Sequence, residues 1–425
     1  MKNLMLINFT VGNFRSFKEK RTLSMEATAI KELHETVITK KKYRLLPSAV
    51  IYGANSSGKS NLMEAIATMK RIILGSVKTN PGDELDYKPF ALVDKKEKTT
   101  YFEMEFLIDD TAFRYGFEYN ATEIKSEWLY EKKDGQREYN LFLRIDNDFN
   151  ISNTLFKEGK DLESKTTNNR LFLSLTAQLN GEISGKIMNW FKQCNYVSGL
   201  SSNGYGELTI QMLLEHRNGY EDALKFFQQL DLGFTDLNIS ETEFKDEMLP
   251  TTLSQEVKEK LKQQLSKGKI LSVKTLHNIY NESGEIIGTN YFNENEMESA
   301  GSKKIIEMSG PIFDTLMNGK LLLIDELDAK LHPLLTLNII RLFNTHKTNP
   351  NNAQLIFATH DTNLLSVKNF RRDQIWFTEK DKTESTDLYS LVEFKSPDGT
   401  KIRNDRSLEK DYINGRYGAI PYIKN

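Results

Sequence analysis

The chain has 425 residues, which is long enough for two or three packed lobes around a sizeable core. Its 57 basic and 59 acidic residues give a net charge of −2. Proteins that coat nucleic acid are usually basic over a whole face. Any contact of this chain with nucleic acid is therefore expected to be local or made by an assembled protein. A single cysteine, Cys194, excludes an intramolecular disulfide and a cysteine-based zinc site.

The sequence also lacks the apolar segments that direct proteins to membranes or anchor them there. Residues 1–9 contain too short an apolar run for a signal peptide. No stretch approaches the roughly 18 apolar residues of a transmembrane helix. We therefore expect a cytoplasmic protein with no membrane contact.

The N-terminal part of the chain predicts strands around one helix. Residues 4–11 favour a strand, and residues 13–17 favour a turn into a second extended segment. The short apolar run Ser48–Tyr52 predicts a further strand, which ends at Gly53. After it, one face of a helix is marked by apolar residues spaced three or four apart, namely Leu62, Ile66, Met69 and Ile73.

The middle and the C-terminal third differ in their patterns. Apolar and polar side chains alternate through residues 101–119 around a turn, which predicts an antiparallel hairpin with one buried face. Between residues 180 and 290 the pattern of apolar residues predicts several helices, and it lacks the heptad repeat of a coiled-coil arm. The apolar runs 320–324 and 354–358 are typical of buried parallel strands.

These patterns predict an α/β fold in which one head is interrupted by an insertion. Residues 1–180 are expected to form the N-terminal part of the head, with an antiparallel β layer. Residues 181–290 would form a mostly helical insertion lobe. Residues 291–425 would complete the head, with the two apolar runs as neighbouring strands.

The strongest motif matches G-x-x-x-x-G-K-[ST] between a predicted strand and a predicted helix. Its glycines let successive N–H groups point at phosphates, and the helix N-terminus adds to that field. Lysine would reach the β- and γ-phosphates, serine would help to hold Mg²⁺, and the next residue would also contact the nucleotide. The residues are Gly53, Ala54, Asn55, Ser56, Ser57, Gly58, Lys59, Ser60 and Asn61.

Two carboxylates follow the apolar run Leu321–Ile324. A buried strand would deliver Asp325 to the Mg²⁺ shell opposite Ser60. Glu326 would then orient or deprotonate the attacking water as a general base. Apolar strands often end on acids, so this pattern gains its meaning from the phosphate loop that precedes it.

A third strand ends in Thr359-His360. A histidine at the carboxyl edge of a strand can donate a hydrogen bond to a γ-phosphate and so sense its loss. Most lone histidines are structural, but the order of the three motifs favours the catalytic interpretation of His360.

This order of motifs resembles that of ABC-type ATPases. The segment Asn13–Phe17 and the long gap between Lys59 and Asp325 are similar to the RecF, SMC and OLD branch, and more closely to stand-alone bacterial defence ATPases of the RloA or AbiL type. Four further segments are also similar to this family: residues 170–174, 298–302, 325–333 and 415–421. It implies an ABC-ATPase-like head with a mixed sheet, an antiparallel β subdomain and a helical insertion.

The resemblance implies further site residues. Ser299 and Gly301 occupy the place of the ABC signature, which caps the γ-phosphate bound by the other subunit of a dimer; the alternative is a simple helix N-cap at Ser299. Asp328 would be the acid of the dimer-bridging loop. His332-Pro333 is similar to the family pattern, but we assign it no chemistry.

Three more positions are assigned on the same resemblance. Arg15 and Phe17 would lie near the nucleotide, with Phe17 stacked on adenine or, alternatively, placed in the core. Gln178 would couple the insertion to Mg²⁺. Two basic clusters, 40–44 and 368–372, would touch a DNA or RNA backbone or else form ordinary solvated faces.

We therefore expect a homodimeric ATPase with two composite MgATP sites. The resemblance implies a role in bacterial antiphage defence, in which the ATPase controls a separate effector, a nuclease or toxin. The stretch after His360 is too short for the Toprim nuclease that OLD-type proteins carry. The alternatives are a RecF-like DNA repair ATPase and a slowly hydrolysing, ATP-gated scaffold for a partner protein.

Overall fold

The computed structural model describes residues 4–94, 99–200, 205–230, 232–243, 255, 259, 269–394 and 407–421. The chain divides into two compact units. The first unit combines Met1–Ser201 with Thr315–Asn425, and the second consists of Ser202–Asp314.

The secondary structure alternates between strands and helices. In chain order the strands are β1 (Leu4–Gly12), β2 (Arg21–Ser24), β3 (Ile38–Lys40), β4 (Tyr43–Leu45), β5 (Ser48–Tyr52), β6 (Thr100–Ile108), β7 (Thr111–Tyr119), β8 (Ile124–Lys133), β9 (Tyr139–Ile145), β10 (Asp148–Ile151), β11 (Cys194–Ser198), β12 (Asp236–Glu243), β13 (Lys269–Tyr280), β14 (Ile286–Asn293), β15 (Leu321–Asp325), β16 (Gln354–Ala358), β17 (Ile375–Lys380) and β18 (Thr386–Ser390). The α-helices are α1 (Lys59–Gly75), α2 (Phe172–Gln178), α3 (Glu182–Lys192), α4 (Tyr205–Leu214), α5 (Tyr220–Leu230), α6 (Glu294–Met297), α7 (Ala300–Asn318), α8 (Pro333–Asn344) and α9 (Leu408–Ile413).

A mixed sheet forms the centre of the first unit, with the strand order β11-β15-β16-β5-β17-β18. Every neighbouring pair is parallel except β17 and β18. β5 and β16 are buried along their whole length, as expected of apolar strands that are covered on both faces. The predicted parallel strands at 320–324 and 354–358 therefore lie next to the strand that precedes the phosphate loop.

An antiparallel sheet forms the second layer of this unit, in the order β10-β9-β8-β7-β6-β1-β2. The predicted hairpin at 101–119 is the pair β6 and β7, with Phe106 opposite Phe113. One apolar core cluster contains side chains from both sheets and from α1, α2 and α3. Within it, the rings of Phe106 and Trp190 stack with their centroids 4.4 Å apart.

A buried glutamine joins the two sheets by hydrogen bonds. Gln354, the first residue of β16, accepts the Leu6 backbone N–H at 2.6 Å and donates to the carbonyls of Leu6 and Leu46. A buried polar group without partners would cost free energy, and these three bonds satisfy the amide while fixing β1 against the mixed sheet.

The second unit contains its own antiparallel sheet, β12-β13-β14, together with α4, α5, α6 and the start of α7. Its packing includes an edge-to-face contact between Phe226 of α5 and Phe313 of α7, with ring centroids 5.6 Å apart. Gly310 lies directly against Thr209, so α4 and α7 approach closely at this point.

The predicted fold class, an α/β head with a mixed sheet and an antiparallel layer, is confirmed. The boundaries of the predicted lobes differ from the division that the structure shows. α3 and β11 belong to the first unit, because α3 packs in the core cluster and β11 pairs with β15. The second unit also extends to Asp314 and contains a sheet, which the helical pattern of 181–290 did not predict. None of the helices in the described residues is sufficiently long and apolar to cross a membrane.

A buried carboxylate holds α2 against the antiparallel sheet. Glu127 is completely buried and accepts the Phe172 and Leu173 backbone N–H groups at 2.6 and 2.9 Å. It also accepts the Tyr115 hydroxyl at 2.9 Å, and the Arg144 guanidinium lies 4.0 Å away. Glu127 therefore satisfies the free N–H groups at the start of α2 and neutralises a buried cation.

We expect Glu127→Ala to lower the free energy of unfolding by about 3–5 kcal/mol, because it leaves a buried charge and two buried N–H groups without their partner. Urea unfolding measures this change. Glu123→Ala serves as the control, since that carboxylate pairs with Lys125 near the surface and should cost at most about 1 kcal/mol. Equal effects in the two variants would contradict the assigned role.

A partly buried acid, Glu294 of α6, lies in the second unit. Burial, together with repulsion from Glu307 and Glu298, raises the pKa of Glu294 to about 7, against the attraction of Lys303. Within the described part of the chain, its buried Oε2 atom has no hydrogen-bond partner. Because the unfolded chain releases this proton nearer pH 4.5, stability is lost as the pH rises from there to about 7.

We expect Glu294→Gln to remove this loss, so that the melting temperature of the variant exceeds that of the natural protein more at about pH 8 than at about pH 5. Thermal unfolding over this pH range measures the difference. Glu296→Gln in the same helix alters an exposed carboxylate and should give a difference that does not depend on pH. A flat profile for both variants would contradict the raised pKa.

Candidate functional site

The predicted site residues meet at one edge of the mixed sheet. β15, β16 and β5 are adjacent and parallel, so the residues that follow their carboxyl ends lie side by side. A cavity of about 470 Å³ opens there, lined by residues 55–61 together with Glu326, His360 and Lys380. The structure therefore brings the phosphate loop, the second carboxylate and the histidine to one cavity.

The phosphate loop is held in shape from the β17–β18 hairpin. Ser57 Oγ and Thr378 Oγ1 are 2.6 Å apart, and Thr386 Oγ1 donates to the Ser57 carbonyl at 2.9 Å. Gly58 has a φ of 116° and lies directly against Thr386, so a side chain here would meet both strain and a clash. These contacts hold the loop from the side of the hairpin, which lowers the entropic cost of ordering it around a phosphate.

Lys59 is a nearly buried cation at the start of α1, only 5% exposed. Its Nζ donates to the Gly53 and Ala54 carbonyls at 2.8 and 3.1 Å. Burial lowers its pKa to about 8, while Asp325, Glu326 and Asp328 act in the opposite direction. A phosphate in the cavity would supply the nearby negative charge that favours its protonated form.

The metal-binding assignment rests on Asp325 and Ser60. Asp325 Oδ1 is buried and has no hydrogen-bond partner among the residues that the structure describes, which is costly for a carboxylate unless a cation or water satisfies it. Ser60 lies at the exposed start of α1 and lines the cavity. A carboxylate and a hydroxyl are oxygen ligands that suit Mg²⁺, so these residues fit that ion.

Glu326 adopts a strained backbone conformation, with a φ of 55°. Such a conformation costs on the order of 1 kcal/mol in a residue with a side chain and persists only where the surroundings impose it. Two bonds do so: the Leu327 N–H donates to the Ala358 carbonyl at 3.1 Å, and the Gly199 N–H donates to the Asp325 carbonyl at 2.6 Å. Strain held in this way is typical of residues at functional sites.

His360 is tied to the loop that follows Glu326. Its backbone N–H lies 3.3 and 3.4 Å from the two carboxylate oxygens of Asp328. Partial burial, and then the charge of Lys59, lower the pKa of the imidazole below its ordinary value, while Asp328, Glu326 and Asp325 act in the opposite direction. At neutral pH the ring is therefore mostly neutral and can donate one hydrogen bond into the cavity.

A family model matches residues 48–366, which include all three motifs. Its description is "AAA domain, putative AbiEii toxin, Type IV TA system". The chain belongs to this family. The predicted recognition as a P-loop ATPase of the ABC type is thereby confirmed, whereas the narrower likeness to RloA or AbiL-type proteins stays a prediction.

Solved structures provide further likenesses. An SMC head bound to the C-winged helix domain of ScpA is 12% identical, covers 91% of this chain and 97% of its own, and has a TM-score of 0.42. The SMC head domain from Thermotoga maritima is 12% identical, with coverages of 91% and 98% and a TM-score of 0.39. ATP-bound RecF is 15% identical, with coverages of 92% and 100% and a TM-score of 0.33. No curated protein matches the sequence.

In this family member, the N-terminal segment lies beside the end of the phosphate loop. Asn61 Nδ2 donates to Ser16 Oγ at 2.7 Å, and Arg15 Nη1 lies 3.5 Å from Asn61 Oδ1. Arg15 therefore lies beside Asn61, which lines the cavity, and its position near a bound nucleotide stays a prediction. Phe17 is completely buried in the core, so the structure favours the core alternative over stacking on adenine.

Gln178 does not join the site. It is the exposed last residue of α2 and does not line the cavity, so the structure gives no support to its assignment as a metal-coupling residue. Ser198, which the sequence analysis missed, lies opposite Asp325 on the parallel neighbour β11, shortly before the second unit begins. The strand Cys194–Ser198 mixes polar and apolar residues and gave no clear signal, so only strand pairing reveals this placement.

Ser299 and Gly301 lie in the second unit at the start of α7. Ser299 Oγ accepts the Ser302 backbone N–H at 3.1 Å, so the N-cap alternative describes its local role. Its side chain is nonetheless exposed. The role of both residues toward the nucleotide of another subunit stays a prediction.

The close contact at Gly199 generates a prediction. A Cβ atom there would overlap the Glu326 carbonyl, so Gly199→Ala must displace the backbone that carries both carboxylates. We expect ATP hydrolysis to fall by about 10²-fold, because small displacements of catalytic groups have effects of this order. Nucleotide binding should persist, since the phosphate loop is untouched.

Phosphate release and binding of a fluorescent ATP analogue measure the two effects. Gly185→Ala is the matched control, because its added Cβ meets nothing within 4 Å. Full hydrolysis by Gly199→Ala would show that the carboxylate backbone tolerates the shift and would contradict this prediction.

Proposed function

We propose that the protein binds MgATP in this cavity and hydrolyses it to ADP and phosphate. One observation carries the proposal: a lysine whose burial lowers its pKa to about 8, and a buried aspartate oxygen that has no hydrogen-bond partner among the described residues, lie at the same sheet edge as a phosphate loop. Both are unfavourable in the free protein, and MgATP would satisfy both.

Each residue has a distinct task in this mechanism. The loop N–H groups and Lys59 would hold the β- and γ-phosphates and offset the charge that develops there. Glu326 would accept a proton from the attacking water or orient it in line with the phosphoryl group. His360 would donate to the γ-phosphate. Mg²⁺, held by Ser60 and Asp325, would neutralise phosphate charge.

We propose further that two heads sandwich the nucleotide. Asn55, Ser60 and His360 are solvent-exposed in a single head, and a second copy that covered them would exclude water from the reacting groups. Ser299 and Gly301 of one copy would approach the γ-phosphate held by the other, where the N-terminus of α7 favours an anion. Asp328 would lie in the bridging loop.

The biological role that we propose is bacterial antiphage defence. The family description refers to a type IV toxin–antitoxin system, which supports a defence role; the effector that we propose is a separate protein and not the toxin that the description names. The ATPase would control this separate effector, with ATP binding and hydrolysis setting the closed and open states. Cytoplasmic localisation is part of the same proposal.

Glu326→Gln tests catalysis and assembly together. We expect this variant to bind ATP, to hydrolyse it at least about 10²-fold more slowly because the base is lost, and to accumulate as a closed dimer. Light scattering coupled to size exclusion, with and without MgATP, measures the mass. Glu182→Gln, at an exposed carboxylate paired with Lys186, should behave like the natural protein.

Two results would count against parts of the proposal. Unchanged mass in an ATP-bound Glu326→Gln protein would remove the role of Ser299 across the dimer and favour a preassembled scaffold. Lys59→Ala should lose nucleotide binding, and tight binding by that variant would place the nucleotide elsewhere.

A further inference from the structure

A second concave surface lies at the opposite end of the central strands. This basal pocket has a volume of about 390 Å³ and includes Arg341, Lys347 and Lys368 in its lining. Asn344, also in the lining, accepts a hydrogen bond from Ser48 Oγ at 2.8 Å. Because Ser48 begins β5 and the phosphate loop follows the other end of β5, the two cavities lie about 16 Å apart along the strand.

The pocket carries an excess of positive charge. Arg341, Lys347 and Lys368 are exposed, and none forms an ion pair with a carboxylate in the described part of the chain. The lining contains one carboxylate, Glu35, whose Oε2 lies 3.4 Å from His34 Nδ1. In contrast, the neighbouring Arg371 is completely buried and bonded to Asp373. Within the basic cluster 368–372, Lys368 is therefore the residue that lines the pocket.

The cations are not needed to cap the helix that ends here. Positive side chains near a helix C-terminus often stabilise its last carbonyl groups. In α8, however, Thr348 Oγ1 donates to the Leu342 carbonyl at 2.7 Å, and Asn349 Nδ2 donates to the Phe343 carbonyl at 2.9 Å. Uncharged side chains have therefore taken this capping role.

The backbone around the pocket is fixed by buried hydrogen bonds. Asn349 also exchanges two bonds with Ala353, at 2.7 and 2.8 Å, which holds the loop that carries Lys347. Asn369 Nδ2 donates to the Leu364 carbonyl at 3.0 Å and so holds the loop that carries Lys368. A ligand would meet cations on a preformed frame, which lowers the entropic cost of binding.

From these observations we propose that the basal pocket binds phosphate groups. Arginine offers a planar fork of donors and the lysines offer point charges, a combination that suits phosphate oxygens. The lining also includes the partly exposed apolar side chain of Leu337, which a sugar or base can cover. The ligand is a nucleic-acid end or backbone, or a free phosphate compound, and both share this chemistry.

The test compares two variants of equal charge. In the first, Arg341, Lys347 and Lys368 are each replaced by Gln. In the control, three exposed lysines of another surface, Lys157, Lys160 and Lys165, are replaced by Gln. Binding of labelled single-stranded and duplex DNA is measured by fluorescence anisotropy without ATP, and binding of inorganic pyrophosphate is measured by calorimetry. The melting temperature shows whether each variant is folded. If the triple variant does not fold, Lys347→Gln alone is used.

We expect the pocket variant, but not the control, to lose affinity. For single-stranded DNA, the slope of log affinity against log salt should become shallower by about 2 if all three cations contact phosphates. A pocket-dependent loss for DNA identifies a nucleic-acid ligand, and a loss confined to pyrophosphate identifies a small phosphate compound. Three results would overturn the proposal: equal binding by both variants, an equal loss of affinity in both, or no binding of either probe by the natural protein. Each of them would do so whether or not the protein binds ATP at the nucleotide site.

Discussion

The parallel pairing of β15, β16 and β5 is the constraint on which the rest of the site depends. Parallel strands present their carboxyl ends at one edge, so residues far apart in sequence become neighbours when these strands pair. The pairing is fixed by apolar burial on both faces and by Gln354, which bonds β16 to the backbone of β1. A site that needs an anion-binding loop, two carboxylates and a histidine can therefore form without a long connecting loop.

The free protein holds several unfavourable features at this edge. Lys59 is desolvated, Asp325 has an unpartnered oxygen, and Glu326 has left-handed backbone angles. Each is maintained by its surroundings, as the contact between Gly199 and Glu326 illustrates. Because MgATP would relieve the first two, nucleotide binding and local stability are expected to be coupled.

The two ends of the central sheet differ in chemistry. The carboxyl edge combines a lysine with carboxylates and suits a metal-bound nucleotide, whereas the basal pocket combines three cations with the partly exposed side chain of Leu337. β5 and α8 both run from one end to the other: α8 begins just after the Asp328 loop and ends at the basal pocket. Phosphate binding at the base would thus occur on the same rigid elements that carry the nucleotide site.

The sequence alone determined the phosphate loop, the Asp325-Glu326 pair and His360, because each is a short local pattern that follows an apolar strand. It also predicted the hairpin at 101–119 and the α/β class, since side-chain periodicity is local. It could not place Phe17 in the core, locate Gln178 at the exposed end of α2 or pair Ser198 with Asp325, because these depend on which strands and helices become neighbours. The basal pocket likewise required the tertiary structure: its cations come from separate segments of the chain, and only folding decides which charges are paired and which remain exposed to a ligand.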